Sequence, residues 1–189
     1  GISPRILGAG TNVLAPDEGL RGVVICTKDA LTGLCDLGGG KIEAFAGETL
    51  SKTAVFARNL SLTGLEFAHG IPGTVGGGIY MNAGAYGGEM KQVAMETTVL
   101  TMDGETRVFA GEAQGFAYRT SAFESFPAII VKTVFQLAPG DKEEISARMQ
   151  ELMEKRRVSQ PLELPSAGST FKRPEGAYAG ALIQGAKIG

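Results

Sequence analysis

Two glycine-rich turns about sixty residues apart constrain this chain more than any other feature. The first is Leu7-Gly8-Ala9-Gly10-Thr11-Asn12-Val13-Leu14. The second is His69-Gly70-Ile71-Pro72-Gly73-Thr74-Val75-Gly76-Gly77-Gly78, followed by Met81-Asn82-Ala83-Gly84-Ala85-Tyr86-Gly87-Gly88. Glycine permits φ > 0 and lets the backbone approach a ligand with no Cβ in the way. A turn dense in glycine also points several N–H groups into one concavity, which suits phosphate. Two such turns point to one large phosphate-bearing ligand held from two sides.

The rest of the composition narrows the field. Apolar residues are 43% and charged residues 20% of 189, close to globular averages, so the chain folds rather than staying disordered. Net charge is −2, and no basic block exceeds Lys155-Arg156-Arg157, which argues against a nucleic-acid partner. There is no apolar run long enough to span a bilayer, and, with a strand-and-turn unit at the start, no signal peptide is expected. Cys26 and Cys35 form no CxxC pair, and His69 is the single histidine, so no metal site is expected. Both cysteines read as reduced thiols of a cytosolic protein. His69, one residue before the second turn, reads as structural.

Periodicity supplies a coarse map. Residues 22–26 and 41–45 read as short strands, and 49–60 as a short helix carrying Leu50, Val55, Phe56 and Leu60. Thr74 to Met81 reads as a brief helix whose exposed N–H groups would donate to phosphate. Residues 93–102 read as a strand, Asp103-Gly104 as a hairpin turn, 105–110 as the returning strand and 127–137 as a third strong strand. Residues 141–158 form the clearest helix. Asp141 and Glu144 have capping-box spacing, and Ile145, Met149, Leu152 and Met153 share one face. The Lys155-Arg156-Arg157 cluster then lies where the helix dipole favours cations. Pro161 to Pro165 reads as a rigid linker, so a boundary falls near residue 160, giving domains 1–159 and 160–189. A helix starts near Tyr178 and stops. Thirty residues cannot bury a core of their own, so the chain is expected to be incomplete.

Neither turn is a P-loop, which requires Gly-x-x-x-x-Gly-Lys-Ser/Thr. Neither is a Rossmann fingerprint, because Val13 stands where a third glycine is needed and no helix pattern follows. Instead, Leu7 to Leu14 with Asp17-Glu18-Gly19-Leu20-Arg21-Gly22 resembles the first FAD loop of the UDP-N-acetylenolpyruvoylglucosamine reductases. Gly64-Leu65-Glu66-Phe67 running into Gly70 to Gly77 and Asn82 to Gly87 resembles that family's second FAD loop. Tyr118-Arg119-Thr120-Ser121 and Gly168-Ser169-Thr170-Phe171-Lys172-Arg173-Pro174 resemble its two active-site motifs. All four occur in the family's order and span nearly the whole chain.

The resemblance implies an α+β fold: an FAD-binding domain of the vanillyl-alcohol-oxidase type over 1–159, and the start of a smaller substrate-binding domain over 160–189. It implies FAD held by Gly8, Ala9, Gly10, Thr11, Asn12, Val13, Ile71, Pro72, Gly73, Thr74, Gly76, Gly77, Asn82, Ala83 and Gly84. Some relatives of this fold attach FAD through a histidine in the first turn; Ala9 and Thr11 stand there, so the cofactor is expected to be non-covalent. The implied reaction uses NADPH to reduce the enolpyruvyl ether of UDP-N-acetylglucosamine to UDP-N-acetylmuramate, a peptidoglycan precursor. Arg119 matches the family's catalytic arginine and Ser169 its proton donor. By their residues alone they read as a surface arginine and a turn serine no better than Ser166. Tyr118, Arg119 and Lys172 are implied substrate contacts.

The family's catalytic glutamate has no counterpart in this sequence. The resemblance further implies a small-molecule substrate, no nucleic-acid or membrane partner, a monomer and a bacterial cytoplasm. Two other readings stay open: a flavin-dependent sugar or alcohol oxidase on the same fold, and a non-catalytic flavin-binding fragment.

Overall fold

The computed structural model describes residues 4–160, 171–172 and 174–186. In chain order the elements are β1 (Arg5–Leu7), β2 (Val24–Cys26), β3 (Leu34–Gly38), β4 (Lys41–Phe45), α1 (Leu50–Asn59), β5 (Leu62–Thr63), α2 (Val75–Tyr80), β6 (Gly84–Ala85), β7 (Gly88–Glu89), β8 (Ala94–Thr101), β9 (Thr106–Ala110), β10 (Ala128–Gln136), β11 (Ala138–Pro139), α3 (Lys142–Ser159) and α4 (Ala179–Gly185). The expected α+β class is what the chain adopts.

The centre is a five-stranded antiparallel sheet in the order β3-β4-β10-β8-β9. Along β4, Ile42 and Ala44 are fully buried while Lys41, Glu43 and Phe45 are half-buried. That period of two is what a sheet with one covered face requires. The covering layer includes α1, α2 and α3, whose Leu50, Ile79, Ile145 and Met149 join Ile42, Val99 and Phe135 in one core. A polar knot lies within it: Thr97 Oγ1 donates to Gln114 Oε1 at 2.8 Å, and Gln114 Nε2 donates to the Ala94 carbonyl at 3.0 Å. All three side-chain groups are buried, and an unpaired one would cost about 1–3 kcal/mol, so this knot fixes the approach of residues 111–114 to β8.

The long helix and the hairpin follow their sequence signals. The Asp141 carboxylate caps α3, accepting from the N–H groups of Glu143 and Glu144 at 2.9 Å. Ile145, Met149 and Leu152 are buried, and Met153 is half-buried beside Gly70. The β8–β9 turn has Gly104 at φ +87°, with Gly104 N–H donating to the Thr101 carbonyl at 3.0 Å. Strand β3 has no such signal. It is an edge strand, mostly exposed, leading into Gly38-Gly39-Gly40, all at positive φ. Without a buried face it shows no alternation for the sequence to reveal.

β1 and β2 form a separate parallel pair. Thr27 N–H extends its ladder, donating to the Leu7 carbonyl at 2.8 Å, and Gly47 joins the segment that follows to the main body, its N–H donating to the Leu31 carbonyl at 2.7 Å. A Cβ on Gly47 would stand 1.9 Å from the Thr27 carbonyl oxygen. Only glycine lets these two backbones touch. Cys26 and Cys35 are both free thiols.

Candidate functional site: a backbone cradle and an arginine turn

The second glycine turn is built outward from the sheet. The β4–β10 ladder runs one residue past Phe45, where the Val131 carbonyl accepts from Ala46 N–H at 2.8 Å. Ala46 and Glu48 then offer their own carbonyls to Gly76 N–H and Val75 N–H, each at 2.8 Å. Leu50 N–H donates to the Gly73 carbonyl at 3.1 Å. Thr74 caps α2, its Oγ1 accepting from Gly77 N–H at 3.4 Å.

These bonds correct one sequence expectation. The N–H groups at the start of α2 are not free phosphate donors, since Val75, Gly76 and Gly77 are all engaged within the protein. The glycines of α2 serve packing instead. A Cβ on Gly76 would lie 2.9 Å from Ala46 Cβ, and one on Gly78 would lie 3.1 Å from Leu50 Cδ2. Each glycine lowers helix propensity by about 1 kcal/mol relative to alanine. The close approach of α2 to the sheet end and to α1 is what that loss permits.

The free donors lie one step earlier in the chain. Among the described residues, no acceptor meets the N–H groups of Gly8, Ala9, Gly10, Thr11, Asn12, Gly73 or Thr74. The two turns carrying them are in contact. Thr11 Oγ1 donates to the Pro72 carbonyl at 3.0 Å across 61 residues of sequence. A Cβ on Gly8 would fall 2.4 Å from Thr74 Oγ1, and one on Gly73, at φ +142°, would fall 3.4 Å from Thr11 Oγ1. Gly10 sits at φ +71°. The two turns are thus in contact through Thr11 and Thr74, and along them lie N–H groups that meet no acceptor among the described residues. Such a surface fits the pyrophosphate of a dinucleotide such as FAD. Val13, in the first turn, is exposed, and Ile71, in the second, is half-buried.

The arginine turn lies at the other end of α2, whose six residues span about 9 Å. Ala117 and Thr120 face each other, with N–H···O distances of 3.2 and 3.3 Å, so Tyr118 and Arg119 form the tip of a tight turn. Arg119 sits at φ +57°, an unusual conformation for a residue with a Cβ. Its Nη2 donates to the Gly84 carbonyl at 3.1 Å, and Cζ lies 5.7 Å from the Tyr118 ring centroid. The other N–H groups of its half-buried guanidinium meet no acceptor among the described residues. Ser121 Oγ donates to the Tyr80 carbonyl at the end of α2, at 2.7 Å.

Asn82 is 2% exposed, and every hydrogen-bonding group of its side chain is engaged within the protein. Nδ2 donates to Glu89 Oε2 at 2.9 Å and to the Ala117 carbonyl at 3.0 Å, while Oδ1 accepts from Lys91 N–H at 2.9 Å. Ala83 N–H donates to the Gly78 carbonyl, and Gly84 pairs with Glu89 across the β6–β7 hairpin. Lys172 is exposed, and Ser169 lies outside the described residues. Thus the structure gathers Gly8 to Asn12 with Gly73 and Thr74 in one place, and Asn82 to Gly84 with Tyr118 and Arg119 in another. Sequence reasoning gave no role to Gly47, Ser121 or Glu89. For Glu89 a signal was available: Glu89 and Gln92 have capping-box spacing, and each side chain accepts from the other's backbone N–H.

His69 stands apart from both clusters. Its Nδ1 lies 3.3 Å from Ser51 Oγ. Burial lowers its pKa below the usual value, the contact with Ser51 partly opposes this, and the charge of Arg58 lowers it further. Among the described residues no group of three or more His, Cys, Asp or Glu could hold a metal ion, and no helix is long and apolar enough to cross a membrane.

Residues 1–110 match the FAD binding domain family. The UDP-N-acetylenolpyruvoylglucosamine reductase of Streptococcus uberis is 46% identical over 183 residues, covering 97% of this chain. The chain spans 60% of that relative's length. The crystal structure of the UDP-N-acetylenolpyruvylglucosamine reductase from Thermus caldophilus superposes with a TM-score of 0.82 at 34% identity, over 99% of this chain and 67% of that one. The 6-hydroxy-D-nicotine oxidase of Arthrobacter nicotinovorans, at 15% identity and a TM-score of 0.56, shares the fold over 74% of this chain and 32% of its own.

Proposed function

The chain belongs to the UDP-N-acetylenolpyruvoylglucosamine reductase family, and from that premise we propose that its protein reduces the enolpyruvyl ether of UDP-N-acetylglucosamine to UDP-N-acetylmuramate. The reductant is NADPH, the cofactor is non-covalent FAD, and the setting is peptidoglycan precursor synthesis in a bacterial cytoplasm. The observation that carries this reading is the pairing of the two clusters on one short helix. Among the described residues, N–H groups without acceptors lie at one end of α2, and an arginine with unused donors lies at the other.

When bound, FAD supplies the hydride that the vinyl carbon of the substrate accepts. Gly8 to Asn12, Gly73 and Thr74 hold the pyrophosphate through backbone N–H groups. Arg119 grips the substrate carboxylate; a guanidinium is always charged and matches a carboxylate with two parallel hydrogen bonds. As charge builds on the enolate, the fixed guanidinium stabilises it without having to reorganise. Ser169 gives a proton to the carbon bearing the carboxylate, and Tyr118 and Lys172 contact the substrate. These assignments concern the full-length protein.

The test is an anaerobic absorbance titration of that protein, adding NADPH and then the enolpyruvyl nucleotide sugar. Bleaching by NADPH and recovery of colour with that sugar alone is the expected result. A bound flavin that the sugar leaves bleached would overturn the substrate assignment while leaving the fold intact.

A further inference from the structure

The side chain of Asn82 raises a question that the cradle does not answer. It is fully buried, yet it bonds to neither glycine turn. Its Nδ2 reaches across 35 residues of sequence to the carbonyl of Ala117, the residue at the base of the Tyr118–Arg119 tip. The second Nδ2 hydrogen goes to the Glu89 carboxylate, and Oδ1 takes the N–H of Lys91. Glu89 is fixed in turn by Gln92. Asn82 therefore rivets the 82–92 segment to the base of the arginine turn. Arg119 leans on the same segment, since Nη2 donates to the carbonyl of Gly84, the pairing partner of Glu89.

Arg119 needs such support. At φ +57° its backbone occupies a region that residues with a Cβ visit rarely, and only the surroundings can keep it there. Within the turn, the Ala117–Thr120 bonds are long, at 3.2 and 3.3 Å. The Asn82–Ala117 bond is shorter and buried on the Asn82 side, where water does not compete for it.

We propose that Asn82 is a positioning residue for Arg119: its amide, held by Glu89 and Lys91, fixes the Ala117 carbonyl and so aims the guanidinium at the substrate carboxylate. This rests on the role of Arg119 proposed above. It assigns Asn82 to the substrate end of the site rather than to direct hydrogen bonding with the cofactor.

The experiment follows the two half-reactions of the full-length protein separately by stopped-flow absorbance, with Asn82→Ala, Asn82→Gly, Arg119→Ala and the Asn82→Gly/Arg119→Ala double variant. Asn82 itself sits at φ +42°, which glycine adopts without strain, so Asn82→Gly removes the side chain and spares the backbone. Where Asn82→Ala fails to fold, Asn82→Gly carries the test.

The expected result is that both Asn82 variants slow flavin reoxidation by the enolpyruvyl sugar about 10- to 100-fold, as small misplacements of a catalytic group do. Flavin affinity and reduction by NADPH change far less, and the double variant is no slower than Arg119→Ala, the non-additivity of two residues acting as one unit. Wild-type reoxidation in Asn82→Gly, multiplying effects in the double variant, or an equal loss of flavin affinity would each overturn the proposal. If Arg119→Ala itself reoxidises at the wild-type rate, the functional reading fails, and that outcome is distinct from a failure of Asn82 alone.

Discussion

The cradle and the arginine turn sit at opposite ends of α2 and are built on opposite principles. The cradle is made of backbone: N–H groups that meet no acceptor among the described residues, and glycines that let the two loops close on each other with only Thr11 and Thr74 at the join. The arginine turn is made of side chains: Asn82, Glu89, Ser121 and Arg119 each hold a carbonyl, an amide or one another. A backbone site tolerates many side chains at its rim but none that intrudes. A side-chain site fails when one donor is lost. The two ends should therefore answer differently to mutation of the full-length protein.

The largest effect is expected at the arginine. Arg119→Ala should slow reoxidation of the flavin by the enolpyruvyl sugar about 10²- to 10³-fold, the scale for removing one preorganised charge-stabilising donor. Flavin retention, read by absorbance after gel filtration, should be unchanged. Loss of flavin together with turnover would mean that the two ends are not separable.

At the cradle end, Gly47→Ala should destabilise the fold by about 3 kcal/mol, the upper range for an added methyl that has nowhere to go. The new Cβ would lie 1.9 Å from the Thr27 carbonyl and push β1 and β2, with the first turn, away from the second. Urea unfolding and the flavin dissociation constant should both shift. A stable variant that still binds flavin normally would show that the first turn needs no such anchoring.

Thr11→Val removes the bond to Pro72 and keeps the shape of the side chain. The expected loss is about 1 kcal/mol, the net worth of one such hydrogen bond, seen as roughly fivefold weaker flavin binding. Thr11→Ser should restore it. Equal weakening in the serine and valine variants would show that the methyl group, not the hydroxyl, joins the turns.

The smallest effect concerns His69, outside both ends. Its folded pKa is lowered, chiefly by burial, so the folded state favours neutral imidazole. Its share of stability is fully present above the unfolded pKa of about 6.5, and is lost as pH falls through 6.5 toward the folded value. Urea unfolding of wild type and His69→Gln should therefore diverge between pH 7.5 and 5.5, with wild type losing more. Parallel curves would mean that burial does not bias this imidazole.

The residues themselves show why some of this could be read ahead of the structure. Helix α3 has a cap, an apolar face and a basic end, all local signals, and it lies where they place it. The β8–β9 hairpin has Asp103-Gly104, and β10 has its apolar run. Strand β3 has neither a buried face nor a turn signal distinct from its glycines, so nothing local announces it. In the site, the glycines of both turns were legible as a place where backbone approaches something. Their individual roles were not. Gly8 admits Thr74, Gly73 takes a left-handed backbone, Gly76 and Gly78 admit Ala46 and Leu50, and Gly47, outside both motifs, admits the Thr27 carbonyl.

What the sequence determined by itself is the kind of contact each segment can make: which turns lack side chains, which helix caps itself, which residue carries a fixed positive charge. Those properties belong to single residues and their near neighbours. The tertiary structure decided where each polar group directs its bonds. Thr11 meets Pro72, Asn82 meets Ala117, and the N–H groups of Val75 and Gly76 meet Glu48 and Ala46, not a ligand. A donor has few partners to give, and the partner is set by distance in space, which spacing along the chain does not encode.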